Sequence, residues 1–458
     1  MTRMLARPVA AAALAVGIVA GAFEAPTAAT SVRPTAFKFD DYTLPNGLRV
    51  ILLEDHSTPI VHVTLWYHVG SKDEKTGRTG FAHLFEHMMF KGSKNVQPEA
   101  HTSYIASVGG QSNAYTTEDT TVFWQTVPEQ YLPLTLWLEA DRMASLRIED
   151  ATFKTERQVV KEERRQRVEN QPYGRLSEII YDSAFTTHPY KHPIIGSMAD
   201  LEAASIEDVR EFHRNYYRPD NATLVIAGDF DPAVARGLVD REFSKVPKPA
   251  GVVPRNIPQE PARTRELRVT IEEDWPLPAV VVAYPITYDG NPDSYPLHIA
   301  AKVLSDGTSS RIYQRLVYKE RLALSAFGQA NLIENPNLFY TVAIVAPGHT
   351  PEQVTKALIE EMDRLVTEPI TARELERSKN QFARDYVLGR QTVQNKATIL
   401  AHAVVLHKGD IGTADGEFDI FQNMTAAEVQ RVAKTYFTPQ SRMVLTVMPR
   451  GQRPAGGQ

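Results

Sequence analysis

The sequence predicts an α+β protein made of two similar units joined by a linker. Three observations point there. Short β-branched runs and amphipathic helical stretches alternate along the chain. Between Val246 and Arg265, five prolines (Pro247, Pro249, Pro254, Pro258, Pro261) punctuate a stretch without periodicity, which reads as a linker. The order of elements before that stretch then recurs after it, giving two units of about two hundred residues each.

The N-terminus reads as a targeting segment. Arg3 and Arg7 give a positive region, Pro8 to Phe23 is mostly Ala, Val, Leu, Ile and Gly, and small residues follow at Thr27-Ala28-Ala29. The apolar run is short for a membrane span and rich in alanine, so a cleaved export signal over residues 1–29 is expected, with a mature protein in the bacterial periplasm. No later stretch is apolar enough to cross a bilayer. The expected first unit is then 30–245, the linker 246–265, the second unit 266–450 and a tail 451–458.

In the first unit, Phe37 to Leu53 reads as two strands around the Pro45-Asn46-Gly47 turn, and Ile60 to Val69 as a third. The segment Gln111 to Thr117 follows a Gly109-Gly110 turn, with a strand near Thr121 to Val127. Leu132 to Met143 and Ala151 to Glu169 are helical by pattern, Ala222 to Ala227 is a strand, and a helix starts near Pro232. In the second unit, a strand from Ala279 to Tyr284 precedes helices Tyr295 to Leu304 and Arg311 to Glu320. A strand from Leu338 to Ala346, a helix from Pro351 to Leu365, a long helix from Ala372 and a strand from Met443 to Val447 complete it.

Composition bounds the chemistry. The chain has 458 residues, a net charge of −5 and no basic block, so nothing suggests nucleic acid. It has no cysteine, which excludes disulfides, thiolate metal sites, a cysteine nucleophile and a lipid-modified cysteine. Any metal must be held by His, Asp or Glu.

The stretch with the most chemistry is Thr79-Gly80-Phe81-Ala82-His83-Leu84-Phe85-Glu86-His87-Met88-Met89-Phe90. As a helix it places His83 and His87, at i and i+4, on one side a turn apart, with Glu86 between them. Two imidazoles so spaced suit a zinc ion, and the carboxylate could accept a proton from water beside it. H-x-x-E-H is the inverted-zincin order. Spacing alone also fits two buried, hydrogen-bonded histidines and a solvated glutamate. A catalytic zinc needs a third protein ligand. In Thr155 to Arg165, Glu156 and Glu163 share a helix face nearly two turns apart, while Glu162 points away. The same run, Lys-Glu-Glu-Arg-Arg, is equally what a solvated face looks like. The other eleven histidines read as structural; His188 and His192 are also at i, i+4, but Pro189 and Pro193 make that segment a loop.

Nearly the whole mature chain resembles the pitrilysin/insulinase-type inverted-zincin peptidases, and it is most similar to bacterial members related to the mitochondrial processing peptidase. The resemblance rests on Gly80 to Met88, on Gly109-Gly110 with Asn113-Ala114, on Glu156 to Glu163, and on Asn170-Gln171-Pro172-Tyr173-Gly174. It implies two homologous units, each a mainly antiparallel sheet packed with helices, facing each other as a clamshell. It further implies that His83, His87 and Glu163 bind Zn2+, that Glu86 is the general base, and that Glu156 orients a ligand histidine. Asn113 and Ala114 match the edge strand on which the family docks extended peptides, so peptides or unfolded segments are the expected substrates.

One part of the family pattern is missing. Active members carry, in the second unit, an arginine and a tyrosine seven residues later that bind substrate and steady the oxyanion. Aligned on Ser310 to Leu316, those positions are Val317 and Leu324 here. Arg311 and Tyr318 are also seven apart, but six residues earlier, about a third of a turn off the required helix face. The expectation is therefore an endopeptidase that is weak alone, working as the zinc-bearing subunit of a hetero-oligomer whose homologous partner lacks the zinc motif and supplies the Arg/Tyr pair. The rival reading is a zinc-binding subunit that grips peptides or scaffolds a complex without hydrolysis. A dedicated processing role for one peptide is a third, which no residue singles out.

Overall fold

The computed structural model describes residues 33–451, and it is built on two sheets that share one strand order. The first sheet contains β1 (Asp40–Thr43), β2 (Arg49–Glu54), β3 (Ile60–Tyr67), β4 (Gln111–Thr116), β5 (Thr121–Pro128) and β6 (Ala222–Gly228), arranged β1-β2-β6-β3-β5-β4. The second contains β7 (Leu267–Glu273), β8 (Ala279–Ile286), β9 (Ala323–Ala330), β10 (Asn337–Val345) and β11 (Met443–Pro449), arranged β7-β11-β8-β10-β9. Apart from β1 the two orders coincide. Each sheet has one parallel pair, β2 with β6 and β7 with β11, and is otherwise antiparallel. The export signal expected over residues 1–29 and most of the tail expected over 451–458 lie outside the described residues.

In the first half the helices are α1 (Phe81–Met88), α2 (Ala100–Ser107), α3 (Leu132–Ser145), α4 (Asp150–Arg164), α5 (Leu176–Ala184), α6 (Met198–Ala203), α7 (Ile206–Tyr216) and α8 (Pro232–Phe243). In the second they are α9 (Ser294–Ser305), α10 (Pro351–Thr367), α11 (Ala372–Leu388), α12 (Val393–Leu406), α13 (Thr413–Asn423) and α14 (Ala426–Tyr436). Most cover one face of their own sheet, and the apolar side chains of β2, β3 and β5 interlock there with α1, α3 and α4. Two helices cross over. Ile179, Ile180 and Tyr181 of α5 pack on Val281, Leu338 and Leu445 of the second sheet. Ala397, Leu400 and Val404 of α12 pack on Ile51, Trp66 and Val225 of the first. Covered on both faces, β6 is buried at every position, like a strand of a parallel sheet.

Residues 247–266 contain neither helix nor strand. They are strapped down rather than loose. The Glu260 carboxylate accepts from the N–H groups of Thr186, Thr187 and His188 at 2.8–2.9 Å. Arg255 donates to Asp73 Oδ1 at 2.8 Å and to Asn221 Oδ1 at 2.7 Å.

Some elements differ from the sequence expectation. The helix expected over Ala151 to Glu169 is α-helical only to Arg164, and Arg165–Glu169 is a π turn. The one expected over Arg311 to Glu320 is mostly a π turn, Tyr313–Lys319. Such wide turns insert a residue into the helical repeat, which shifts every side chain beyond them around the axis.

Candidate metal centre

The α1 helix is set in place by backbone contact. Gly80 has φ +89°, and a Cβ there would lie 2.6 Å from Ile195 O, so only glycine admits this approach of the Ile195-Gly196 loop. Gly80 cannot cap the helix with a side chain. The fully buried Glu74 carboxylate does so instead, accepting from Gly80 N–H at 2.8 Å and Ala82 N–H at 2.7 Å. Leu84, Phe85 and Met88 then point into the core, which turns His83, Glu86 and His87 toward a cavity.

On α4, Phe153, Glu156, Val160 and Arg164 form the buried stripe that docks the helix, and Arg164 is locked by Glu178 and by the Gly196 carbonyl at 2.8 Å. That docking brings Glu163 over the histidines. Its Oε2 lies 3.7 Å from His83 Nε2 and 3.3 Å from His87 Nε2, and one donor atom from each of the three residues falls within 4.8 Å of the others. Ligand atoms around a tetrahedral zinc, with bonds of about 2.0–2.2 Å, sit roughly 3.3–3.6 Å apart. Two imidazole nitrogens and a carboxylate oxygen at these separations fit that ion. Glu162 faces outward, pairing with Arg165 at 3.1 Å.

Glu156 lies behind His87. Its Oε2 is 3.5 Å from His87 Nδ1, and its Oε1 is 3.0 Å from Lys91 Nζ. Burial would pull His87 down, but its bonds to Glu156 and Glu163 outweigh it and hold the imidazole up to about 9. Burial, helped by His87, pushes His83 down to about 4. The pocket thus favours positive charge between His87 and Glu163. Burial raises the Glu86 carboxyl, opposed by the Thr116 hydroxyl, which donates to Glu86 Oε2 at 2.6 Å.

Thr116 ends β4, the edge strand of the first sheet, so the same strand carries Asn113 and Ala114 along the rim of this cavity of about 640 Å³. The Asn113 side chain accepts from Ala114 N–H at 2.9 Å, occupying an edge donor that an added strand would use. His188 and His192 lie elsewhere. His188 is buried, with Nδ1 accepting from Tyr190 N–H in a short turn.

In the second half, Val317 is partly buried against that half's core, and Leu324 is 58% exposed on β9. Arg311 is committed to Glu374 by two hydrogen bonds of 2.6 and 2.9 Å, and Tyr318 points to solvent. Sequence reasoning overlooked Thr116, Lys91, Glu74 and Arg167, which pairs with Glu163 Oε1 at 2.6 Å. Lys91 and Arg167 were available as i+4 neighbours of His87 and Glu163; Thr116 and Glu74 reach α1 only through the fold.

Residues 49–198 match the family model described as insulinase (peptidase family M16), and residues 203–382 match that of the peptidase M16 inactive domain. The zinc protease PqqE of Helicobacter pylori is 29% identical over 416 residues, covering 90% of this chain and 93% of that protein. The crystal structure of a protease from Helicobacter pylori superposes with a TM-score of 0.87 at 29% identity, over 90% of this chain and all of that one. The periplasmic protease PqqL of Escherichia coli has the same fold, with a TM-score of 0.74 at 19% identity; the match covers 91% of this chain and 48% of PqqL.

Proposed function

The chain belongs to the insulinase-type peptidases of family M16, and from that premise we propose that it is an exported zinc-dependent endopeptidase acting on peptides or unfolded segments. The observation that carries the reading is the convergence of His83, His87 and Glu163 beside Glu86 at the foot of an edge strand. His83, His87 and Glu163 would hold zinc; when bound, the ion polarises the scissile carbonyl and makes water easier to deprotonate.

The other groups have their own tasks. Glu86 takes the proton of the attacking water and returns it to the leaving amine nitrogen. Thr116 fixes the Glu86 carboxylate, and Glu156, held by Lys91, sets the His87 ring through Nδ1. An extended peptide pairs along β4 once Asn113 releases Ala114 N–H. The main chain does the binding, which favours unfolded segments over particular side chains.

Val317 and Leu324 leave this chain without the second-half arginine and tyrosine, so we assign those groups to a homologous partner subunit. A PqqL chain about twice as long, matched over half its length, supports a complete enzyme needing two such lengths of chain. The same relative, by its name a periplasmic protease, supports export. A non-hydrolytic peptide-gripping subunit would leave Glu86 and its Thr116 support without a task.

The test is hydrolysis of an unstructured quenched peptide by zinc-loaded protein, alone and with a homologous subunit carrying the Arg/Tyr pair. Activity that appears with the partner and vanishes in Glu86→Gln supports the reading. Full activity of the chain alone refutes the split site, and no activity in either mixture refutes the peptidase.

A further inference from the structure

The second half contains another convergence of metal-binding groups. Asp289 lies in the turn after β8, His402 in the last turn of α12 and His407 just beyond it. One donor atom from each falls within 4.8 Å of the other two. Asp289 Oδ2 is 3.0 Å from His407 Nε2 and 3.7 Å from His402 Nε2, close to the separations that a tetrahedral ion imposes on its ligands.

The hydrogen bonds around the cluster fix its polarity. The Thr413 hydroxyl gives its proton to the Asp410 carbonyl at 2.8 Å, so its oxygen can only accept from His407 Nδ1–H at 2.7 Å. In that tautomer the Nε2 lone pair of His407 faces Asp289 Oδ2. At 3.0 Å the two need a positive charge between them, which either a second proton on His407 or a metal ion supplies. Asp289 Oδ1 is already engaged by the Gly290 N–H at 2.9 Å, which aims Oδ2 at the histidines. Asp289 and His407 thus each have an orienting partner of their own, the arrangement expected around bound metal. His402, with a side chain 41% exposed, gives an ion a route from solvent.

We propose that Asp289, His402 and His407 form a second, structural site for a divalent ion of the zinc class, separate from the His83 cluster. Its place explains its use. The site ties the end of α12, the helix that the second half lays on the first sheet, back to the β8–α9 turn of its own half. His402 and His407 are among the histidines that sequence alone read as structural.

The experiment measures bound zinc per chain on the full-length protein after equilibrium dialysis, comparing wild type with His402→Gln and Asp289→Asn. The expected result is one zinc ion fewer in each variant, together with a smaller zinc-dependent rise in melting temperature than in wild type. That difference is read whether or not the His83 site fills, so it stands apart from the peptidase proposal. His402→Gln is on a half-exposed side chain and should fold. On the unaltered chain, added zinc should slow carbethoxylation of His402 at least tenfold. Equal zinc content in wild type and variants, or no protection of His402, overturns the proposal and leaves a proton as the only cation that Asp289 and His407 share.

Discussion

Thr116 Oγ1 donates to Glu86 Oε2 at 2.6 Å, joining the last residue of the strand proposed to dock peptides to the carboxylate proposed as the base. A peptide seated on β4 is therefore placed by the same strand that orients the proton acceptor. Glu86→Gln should lower kcat by about 10²–10⁴, the usual contribution of a general base. Thr116→Val removes one hydrogen bond to a charged group and should cost roughly 10–100-fold in kcat with KM little changed. Steady-state kinetics on the proposed two-subunit assembly checks both.

Glu156→Gln should leave the fold intact and loosen the metal. Glu156 holds His87 through Nδ1 and is itself held by Lys91. Loss of such an outer partner typically weakens metal affinity by about 10–100-fold. Competition with a zinc-binding dye reads the change, and unchanged affinity would remove Glu156 from the proposed site.

Lys72 should be a stability hot spot outside the proposed metal centre. Its ammonium is buried among Asp73 at 3.2 Å, Asp119 at 3.5 Å and Glu334 at 3.0 Å, the last contributed by the second half. Lys72→Met strands Asp119 without a counter-charge and leaves Asp73 and Glu334 with Arg255 and His68 alone, at a cost of about 3–5 kcal/mol. Urea denaturation of the two proteins at neutral pH measures it.

Glu334 should make stability depend on acid. Burial would raise its carboxyl, but the hydrogen bond to His68 and the Lys72 charge outweigh it and hold it down to about 2. An unfolded glutamate titrates near 4.3. The folded value is the lower, so the stabilisation is complete above roughly pH 4.3 and is lost as the pH falls toward 2. Melting temperatures across this range should fall less steeply for Glu334→Gln than for wild type.

Much of the architecture was readable from periodicity. The strands that became β3, β5, β6, β8 and β10 carry strong β-branched runs, and His83, Glu86 and His87 declare a shared helix face. Other elements carried weaker marks. β7 alternates apolar with charged residues along a half-exposed sheet edge, and β9 has few β-branched residues. α12 is apolar over much of its surface because it is wedged beneath a foreign sheet, so no single stripe announces it. In the same way nothing local relates Asp289 to His402, or Thr116 to Glu86. Those pairings arise where segments distant in the chain meet.

The reciprocal crossing of α5 and α12 also sets a timetable. During synthesis the first sheet has all its strands once Gly228 is made, yet Ile51, Trp66, Val122 and Val225 stay uncovered until Val393–Leu406 emerges. Neither half can finish alone, and a chain cut within residues 247–266 should yield fragments that are soluble only when produced together. For the export proposed above this delay is useful, because a chain that cannot lock until nearly complete remains threadable until it has crossed.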